Sequence, residues 1–131
     1  MDEISVLGIE CFGHHGVFDH ERRDGQTFVV DLSLGLDTRP AARSDDLHDT
    51  VDYGSLVDRV TAVVTGEPVD LIETLADRVA GVCLLDSRVE WARVTVHKPS
   101  APISARFSDV TLTITRQRTD TPAAGPGEGP R

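Results

Sequence analysis

Four side chains in this sequence carry groups able to hold or move a proton beside a small molecule: Glu21, Tyr53, Glu73 and Lys98. Glu73 closes the run Asp70-Leu71-Ile72-Glu73. That spacing is the spacing of a capping box, with Asp70 as N-cap and Glu73 reaching back to its backbone N–H. The functional alternative is a carboxylate kept ionised by a helix N-terminus, accepting two parallel hydrogen bonds from the amidine-like edge of a flat heterocycle. Backbone groups beside Ile72 would extend the same edge-on recognition. Lys98 stands just before Pro99 and shares a strand face with Val94 and Val96. At a strand end it reads as a solvated charge. On an inward apolar face its ammonium needs a partner or is partly discharged, the condition under which a lysine shuttles protons near neutral pH. Tyr53 opens a helix and by itself reads as a core-edge ring whose hydroxyl reaches water. Glu21 lies in a polar stretch and by itself reads as solvent-facing.

Other chemistries find little support. His14, His15 and His20 invite a zinc site, but neighbours on a strand point to opposite faces and no zinc-enzyme spacing is matched. There is no nucleophile elbow, Walker loop or HExxH pattern. Cys11 and Cys83 form neither a disulfide framework nor a metal-binding pair. Both sit in apolar segments and read as buried, reduced thiols.

The elements that must position these residues follow from periodicity. A first strand runs from about Glu3 to Phe12, with its alternation interrupted at Gly8, which predicts a bulge or a close backbone approach. Gly13-His14-His15-Gly16 ends it in a turn, and Asp19 to Gly25 reads as a polar loop. From Gln26 to Asp37, Phe28, Val30, Leu32, Leu34 and Leu36 alternate with mostly polar or small residues, the signature of a strand with one buried face. Thr38 to Asp49 reads as a loop. Tyr53, Leu56, Val57, Val60, Val63 and Val64 then recur at helical steps, until Gly66 and Pro68 stop the helix. A second helix starts near Asp70, with Leu71, Ile72, Leu75, Ala76, Val79, Val82 and Cys83 as its stripe. Val89 to Lys98 and Phe107 to Arg116 complete the strands. The order β-β-α-α-β-β predicts an α+β fold, a four-stranded antiparallel sheet with two helices on one face. Residues 1–118 form a single domain in this reading. The run from Thr119 to Arg131, rich in Pro and Gly, reads as a disordered tail.

Composition narrows the ligand class. A formal net charge of −9 over 131 residues argues against nucleic acid or an anionic membrane, since either needs a concentrated positive field. The first residues lack a signal-peptide pattern and no apolar run approaches a membrane span, so a cytoplasmic location is expected. Aromatics are sparse at 5%, which predicts a thin core that leans on a partner surface.

Taken in order, the segments resemble the dihydroneopterin aldolase family across about residues 3 to 118. They are Gly13-His14-His15-Gly16-Val17-Phe18 with Glu21 and Gly25-Gln26, then Ser44-Asp45-Asp46-Leu47 leading to Asp49-Thr50-Val51-Asp52-Tyr53. Leu71-Ile72-Glu73-Thr74-Leu75-Ala76 follows, then Val96-His97-Lys98-Pro99 with Ala101-Pro102-Ile103. The resemblance implies a tunnelling fold, whose subunits join their sheets into tetrameric rings that commonly stack as octamers, with the pocket between subunits. It implies that Glu73 anchors a pterin edge with main-chain help near Leu71 and Ile72. Val51 and Tyr53 would come from the adjacent subunit, while Glu21 and Lys98 flank the substrate's trihydroxypropyl chain. The implied reaction is a retro-aldol split of 7,8-dihydroneopterin into 6-hydroxymethyl-7,8-dihydropterin and glycolaldehyde. Its electron sink is the substrate's own C=N bond, so no metal, Schiff base or cofactor is called for. Lys98 and Tyr53 would move the protons.

The chain departs from the family pattern at Ser104-Ala105-Arg106, where Pro-Gly is common, which bears on the loop beside Lys98. Arg106 itself reads as a solvated charge. Three alternatives stay open: 2′-epimerisation at the same site, a paralogous epimerase acting on the triphosphate, with Arg22, Arg23 and Arg106 at the pocket mouth, and a pterin-binding ring without catalysis.

Overall fold

A computed structural model describes residues 1–120; the expected tail lies outside the described residues from position 121 onward. The alternating segment forms the second strand, β2 (Gln26–Leu36), and its five large apolar residues Phe28, Val30, Leu32, Leu34 and Leu36 are completely buried. Burying a side chain of this size contributes roughly 1.5–3 kcal/mol, so this strand is the floor of the core. It pairs antiparallel with β1 (Asp2–Gly13) on one side and β3 (Trp91–His97) on the other, and β3 pairs with β4 (Thr111–Gln117), giving the sheet order β1-β2-β3-β4. Register places Val30 opposite Val96 and Leu32 opposite Val94, all four facing inward and fully buried.

Above that face lie two longer helices, α3 (Tyr53–Thr65) and α4 (Ile72–Cys83). Leu56, Val60 and Val64 form one buried seam of α3; Leu75, Ala76, Val79, Ala80 and Cys83 form that of α4. Asp52 caps α3, accepting the Ser55 N–H at 3.2 Å. Both thiols are buried and unpaired, and burial pushes Cys83 up to about 12. The opposite sheet face is polar, with hydroxyl pairs Ser5–Ser33 and Thr95–Thr113 at 2.9 and 2.8 Å across neighbouring strands. Among the described residues no helix is long and apolar enough to cross a membrane.

Several boundaries differ from the sequence reading. Asp19 to Asp24 is a short helix, α1, and Arg39 to Ser44 is another, α2, followed by a 3-10 turn at Leu47–Asp49. Both stretches are too short for periodicity to register. The last strand begins at Thr111, later than Phe107. The interruption at Gly8 is a bulge: register shifts between Val6 and Ile9, Gly8 takes φ +76°, and its N–H donates to Asp31 at 2.8 Å. The thin core shows at both sheet edges. Ile4, Val6 and Ile9 on β1, and Leu112 and Ile114 on β4, are only partly covered, whereas the inner residues of β2 and β3 are sealed.

Candidate functional site

Because side chains alternate along β3, His97 faces the polar side and the next residue, Lys98, turns toward the core. Its side chain is 11% exposed, and its Nζ stands 2.7 Å from Oε2 of Glu21, whose side chain is 3% exposed. This corrects the solvent-facing reading of Glu21. The carboxylate is turned inward by α1. Glu21 is the third residue of that helix and its Oε1 accepts the N–H of the N-cap Phe18 at 3.3 Å, satisfying a free helix-end donor. Gln26 at the start of β2 donates through Nε2 to Oε2 at 3.1 Å. The orientation of that amide leaves Gln26 Oε1 buried and without a partner among the described residues. Burial alone would raise the Glu21 carboxyl, but the hydrogen bonds of Lys98, Phe18 and Gln26 outweigh it and hold it below its ordinary value.

Gly16 makes room for this arrangement. A methyl group there would fall 2.3 Å from the Glu21 carboxyl carbon, so no other residue allows the carboxylate to lie against the backbone. The same turn is tied to the approach to α4. Gly16 N–H donates to Val69 O at 2.9 Å, Arg22 Nε donates to Gly16 O at 3.0 Å, and the Arg22 guanidinium pairs with Asp70.

That last contact overturns the capping box. The Asp70 carboxylate is turned to Arg22, and α4 begins at Ile72 with Leu71 as its N-cap and no side-chain cap. Glu73 stands in the first turn, exposed, and among the described residues its carboxylate has no hydrogen bond or ion pair. Leu71 is 49% exposed beside it and Ile72 is half-buried. The helix end thus offers free N–H groups and an open carboxylate, one short connection from the turn that holds Glu21.

Tyr53 is elsewhere. Its ring is 58% exposed, in a surface hollow lined by Ala41, Asp45, Asp46, Leu47 and residues 50–54, which includes none of Glu21, Glu73 or Lys98. Val51 is buried in the core at 3% exposure. It also edges a cleft of about 260 Å³ between α3 and α4, lined by Asp52, Ser55, Arg59, Cys83 and Asp86 among others. The three histidines have separate local partners: His14 Nδ1 bonds Arg22 O at 2.9 Å, His15 is enclosed, and the His20 ring stacks on Phe18. Arg23 pairs with Asp24, and Arg106 is exposed. Sequence reading missed two residues of the cluster as contacts, Gly16 and Gln26. Gln26 follows Glu21 by five positions, and nothing in a polar stretch signals that the two side chains meet.

Comparison with known proteins places this geometry. The family model for dihydroneopterin aldolase matches residues 4–115. A dihydroneopterin aldolase of Streptomyces coelicolor is 59% identical over 118 residues, covering 90% of this chain and 99% of its own. One from Bacillus subtilis is 43% identical over 119 residues, with 90% and 99% covered. Among solved structures, E. coli dihydroneopterin aldolase in complex with neopterin superposes with a TM-score of 0.81 at 32% identity, covering 88% of this chain and 99% of that one.

Proposed function

The chain belongs to the dihydroneopterin aldolase family, a family of carbon–carbon lyases, and from that premise we propose that it splits 7,8-dihydroneopterin into 6-hydroxymethyl-7,8-dihydropterin and glycolaldehyde. The observation that carries the assignment of roles is the buried Lys98–Glu21 pair at 2.7 Å, joined through Gly16–Val69 and Arg22–Asp70 to the free end of α4.

In this reading Glu73 accepts the 2-amino and N3–H donors of the pterin as two parallel hydrogen bonds, while main-chain groups at Leu71 and Ile72 meet the neighbouring ring atoms. The side chain of the substrate then extends toward Lys98 and Glu21. Cleavage removes the proton from the 2′-hydroxyl, turns C2′ into the aldehyde carbon, breaks C1′–C2′ and sends that electron pair through C6 onto N5, which gains a proton. The resulting enamine takes a proton at C1′ and releases the one on N5. Net, the C1′–C2′ bond and the 2′ O–H bond are exchanged for one C–H bond at C1′ and the π bond of the new carbonyl. Lys98, paired with Glu21 at 2.7 Å, is placed to deliver protons to this region, and the unpartnered Gln26 Oε1 accepts a hydrogen bond from the side-chain hydroxyls or from water. Rebinding of glycolaldehyde by its other face before release gives 2′-epimerisation at the same site.

Tyr53 lies apart from Glu21, Glu73 and Lys98 and would reach this chemistry only from a second copy, which supports a homo-oligomer with sites between subunits; the ring and its stacking as an octamer follow the family resemblance. The half-covered inner residues of β1 and β4, together with exposed Phe12, Phe18 and Leu71, supply the surface that such a ring would bury. Triphosphate turnover is disfavoured because Arg22 and Arg23 pair with Asp70 and Asp24, which leaves only the exposed Arg106 of the three candidate arginines to meet a triphosphate. A non-catalytic ring is disfavoured because a buried, paired lysine is costly to keep for packing alone.

The deciding experiment incubates purified protein with 7,8-dihydroneopterin and measures glycolaldehyde. Release by the wild type and its loss in Lys98→Ala are expected. Neopterin binding without release, or turnover of the triphosphate alone, overturns the assignment.

A further inference from the structure

His15 is buried to 1% exposure, and the chemistry above does not use it. Its ring packs edge-on against Phe28 at 5.3 Å, and both nitrogens are engaged by main chain from other segments. Nδ1 accepts the Val69 N–H at 3.0 Å, which places the ring proton on Nε2, and Nε2–H donates to Val64 O at 2.6 Å. Burial depresses the ring's proton affinity, in keeping with this neutral form. Val69 is bound twice, since its carbonyl accepts the Gly16 N–H at 2.9 Å. Residues 15 and 16 therefore grip both polar groups of Val69, while the same ring holds the last turn of α3 through Val64.

Val69 lies just before Leu71, the N-cap of α4, and Gly16 is the residue against which Glu21 rests. We infer that His15 is a positioning residue, setting where the Glu73-bearing end of α4 stands relative to the Lys98–Glu21 pair. The inference rests on the reading of Glu73 as the pterin anchor. Its logic is geometric. The substrate is gripped by its ring on one element and by its side chain on another, so a displacement between the two loosens one grip and is read as lost affinity for substrate and neopterin alike. An apolar residue would fill the space beside Phe28 equally well, but it would leave the Val69 N–H buried and the approach to α4 unregistered.

Two substitutions separate positioning from packing. His15→Asn puts an amide oxygen where Nδ1 stands and keeps the bond to Val69 while giving up Val64. His15→Gln reaches Val64 with its amide nitrogen and leaves Val69 unanswered. With neopterin as the probe, His15→Gln is expected to weaken binding about tenfold and raise KM for 7,8-dihydroneopterin alike, with kcat within about threefold of the wild type. His15→Asn should stay within about threefold on both. Equal behaviour of the two variants in binding and KM overturns the inference. Glu73→Gln is measured alongside: if it binds neopterin like the wild type, the anchor reading has failed and takes this inference with it. If Glu73→Gln loses affinity while His15→Gln does not, only the positioning role is lost. Should either His15 variant fail to fold, the wild-type protein decides. Saturating neopterin must shift the Val69 amide resonance and slow its exchange, and an unchanged Val69 signal refutes the coupling.

Discussion

Replacing Lys98 by methionine removes the cation from a pair neither of whose members can turn to water, with side-chain exposures of 11% and 3%. Breaking a buried pair by deleting one partner costs about 3–5 kcal/mol, because the remaining charge is stranded. Glu21 retains the Phe18 N–H at 3.3 Å and the Gln26 amide at 3.1 Å, which places the expected loss near the lower end, about 3 kcal/mol. Methionine fills most of the lysine stem's volume, so the cavity contribution is small. Adding Glu21→Gln removes the stranded charge, and the double variant should recover roughly 1–2 kcal/mol of the loss. The pH dependence carries a definite sign. In the wild type the Glu21 carboxyl lies below 4.5, so its contribution is present above 4.5 and disappears as pH falls through the folded value. Without Lys98, burial dominates and raises the carboxyl, so acid relieves the variant while it weakens the wild type. Urea unfolding at fixed protein concentration, at neutral pH and again at about pH 4, should show the deficit shrinking in acid. A Lys98→Met protein within about 0.5 kcal/mol of the wild type at neutral pH, below what a broken buried pair allows, would refute the reasoning. So would a deficit that does not change with pH.

Gly16→Ala drives a methyl to 2.3 Å from the Glu21 carboxyl, so turnover should fall at least tenfold with about 2 kcal/mol of destabilisation; unchanged kcat in a steady-state assay would contradict it. Arg118 donates to three main-chain carbonyls, Leu84, Asp86 and Val89, at 2.7–3.0 Å. Arg118→Met should therefore cost about 2 kcal/mol in thermal unfolding while leaving kcat alone. His97 bonds Asp31 and Asp109 at 2.7 and 2.8 Å, and these two carboxylates raise its folded value above 6.5. The stability it adds is complete below 6.5 and is lost as pH rises through the higher folded value. The urea midpoints of wild type and His97→Gln should therefore differ in mild acid and converge in alkali, and a gap constant across pH would count against the clasp.

Much of the scaffold was legible because it is written locally. The alternation of Phe28 through Leu36 and the four-residue steps of Leu56, Val60 and Val64 put each apolar residue on one face of its own element, and burial of that face follows from any sheet-and-helix packing. Gly8 announced its bulge by breaking the alternation. The strand parity of Lys98, shared with Val94 and Val96, allowed an inward amine, but its place at a strand end read as a solvated charge until the fold buried it against Glu21.

The site was not legible in the same way. Glu21 looked solvated among Asp19, His20, Arg22 and Arg23, and its burial exists only because Lys98 arrives from the far end of the chain and Gly16 leaves room for it. Asp70 had the spacing of a cap, yet Arg22 competes for its carboxylate and the helix starts two residues later. His15 had metal-ligand chemistry in its side chain, and only the fold shows both nitrogens spent on Val64 and Val69. Periodic burial is a property of one segment and can be read from that segment. The protonation and orientation of a polar group depend on which distant donor or acceptor the folded chain brings within hydrogen-bonding range, and that was decided by the tertiary structure.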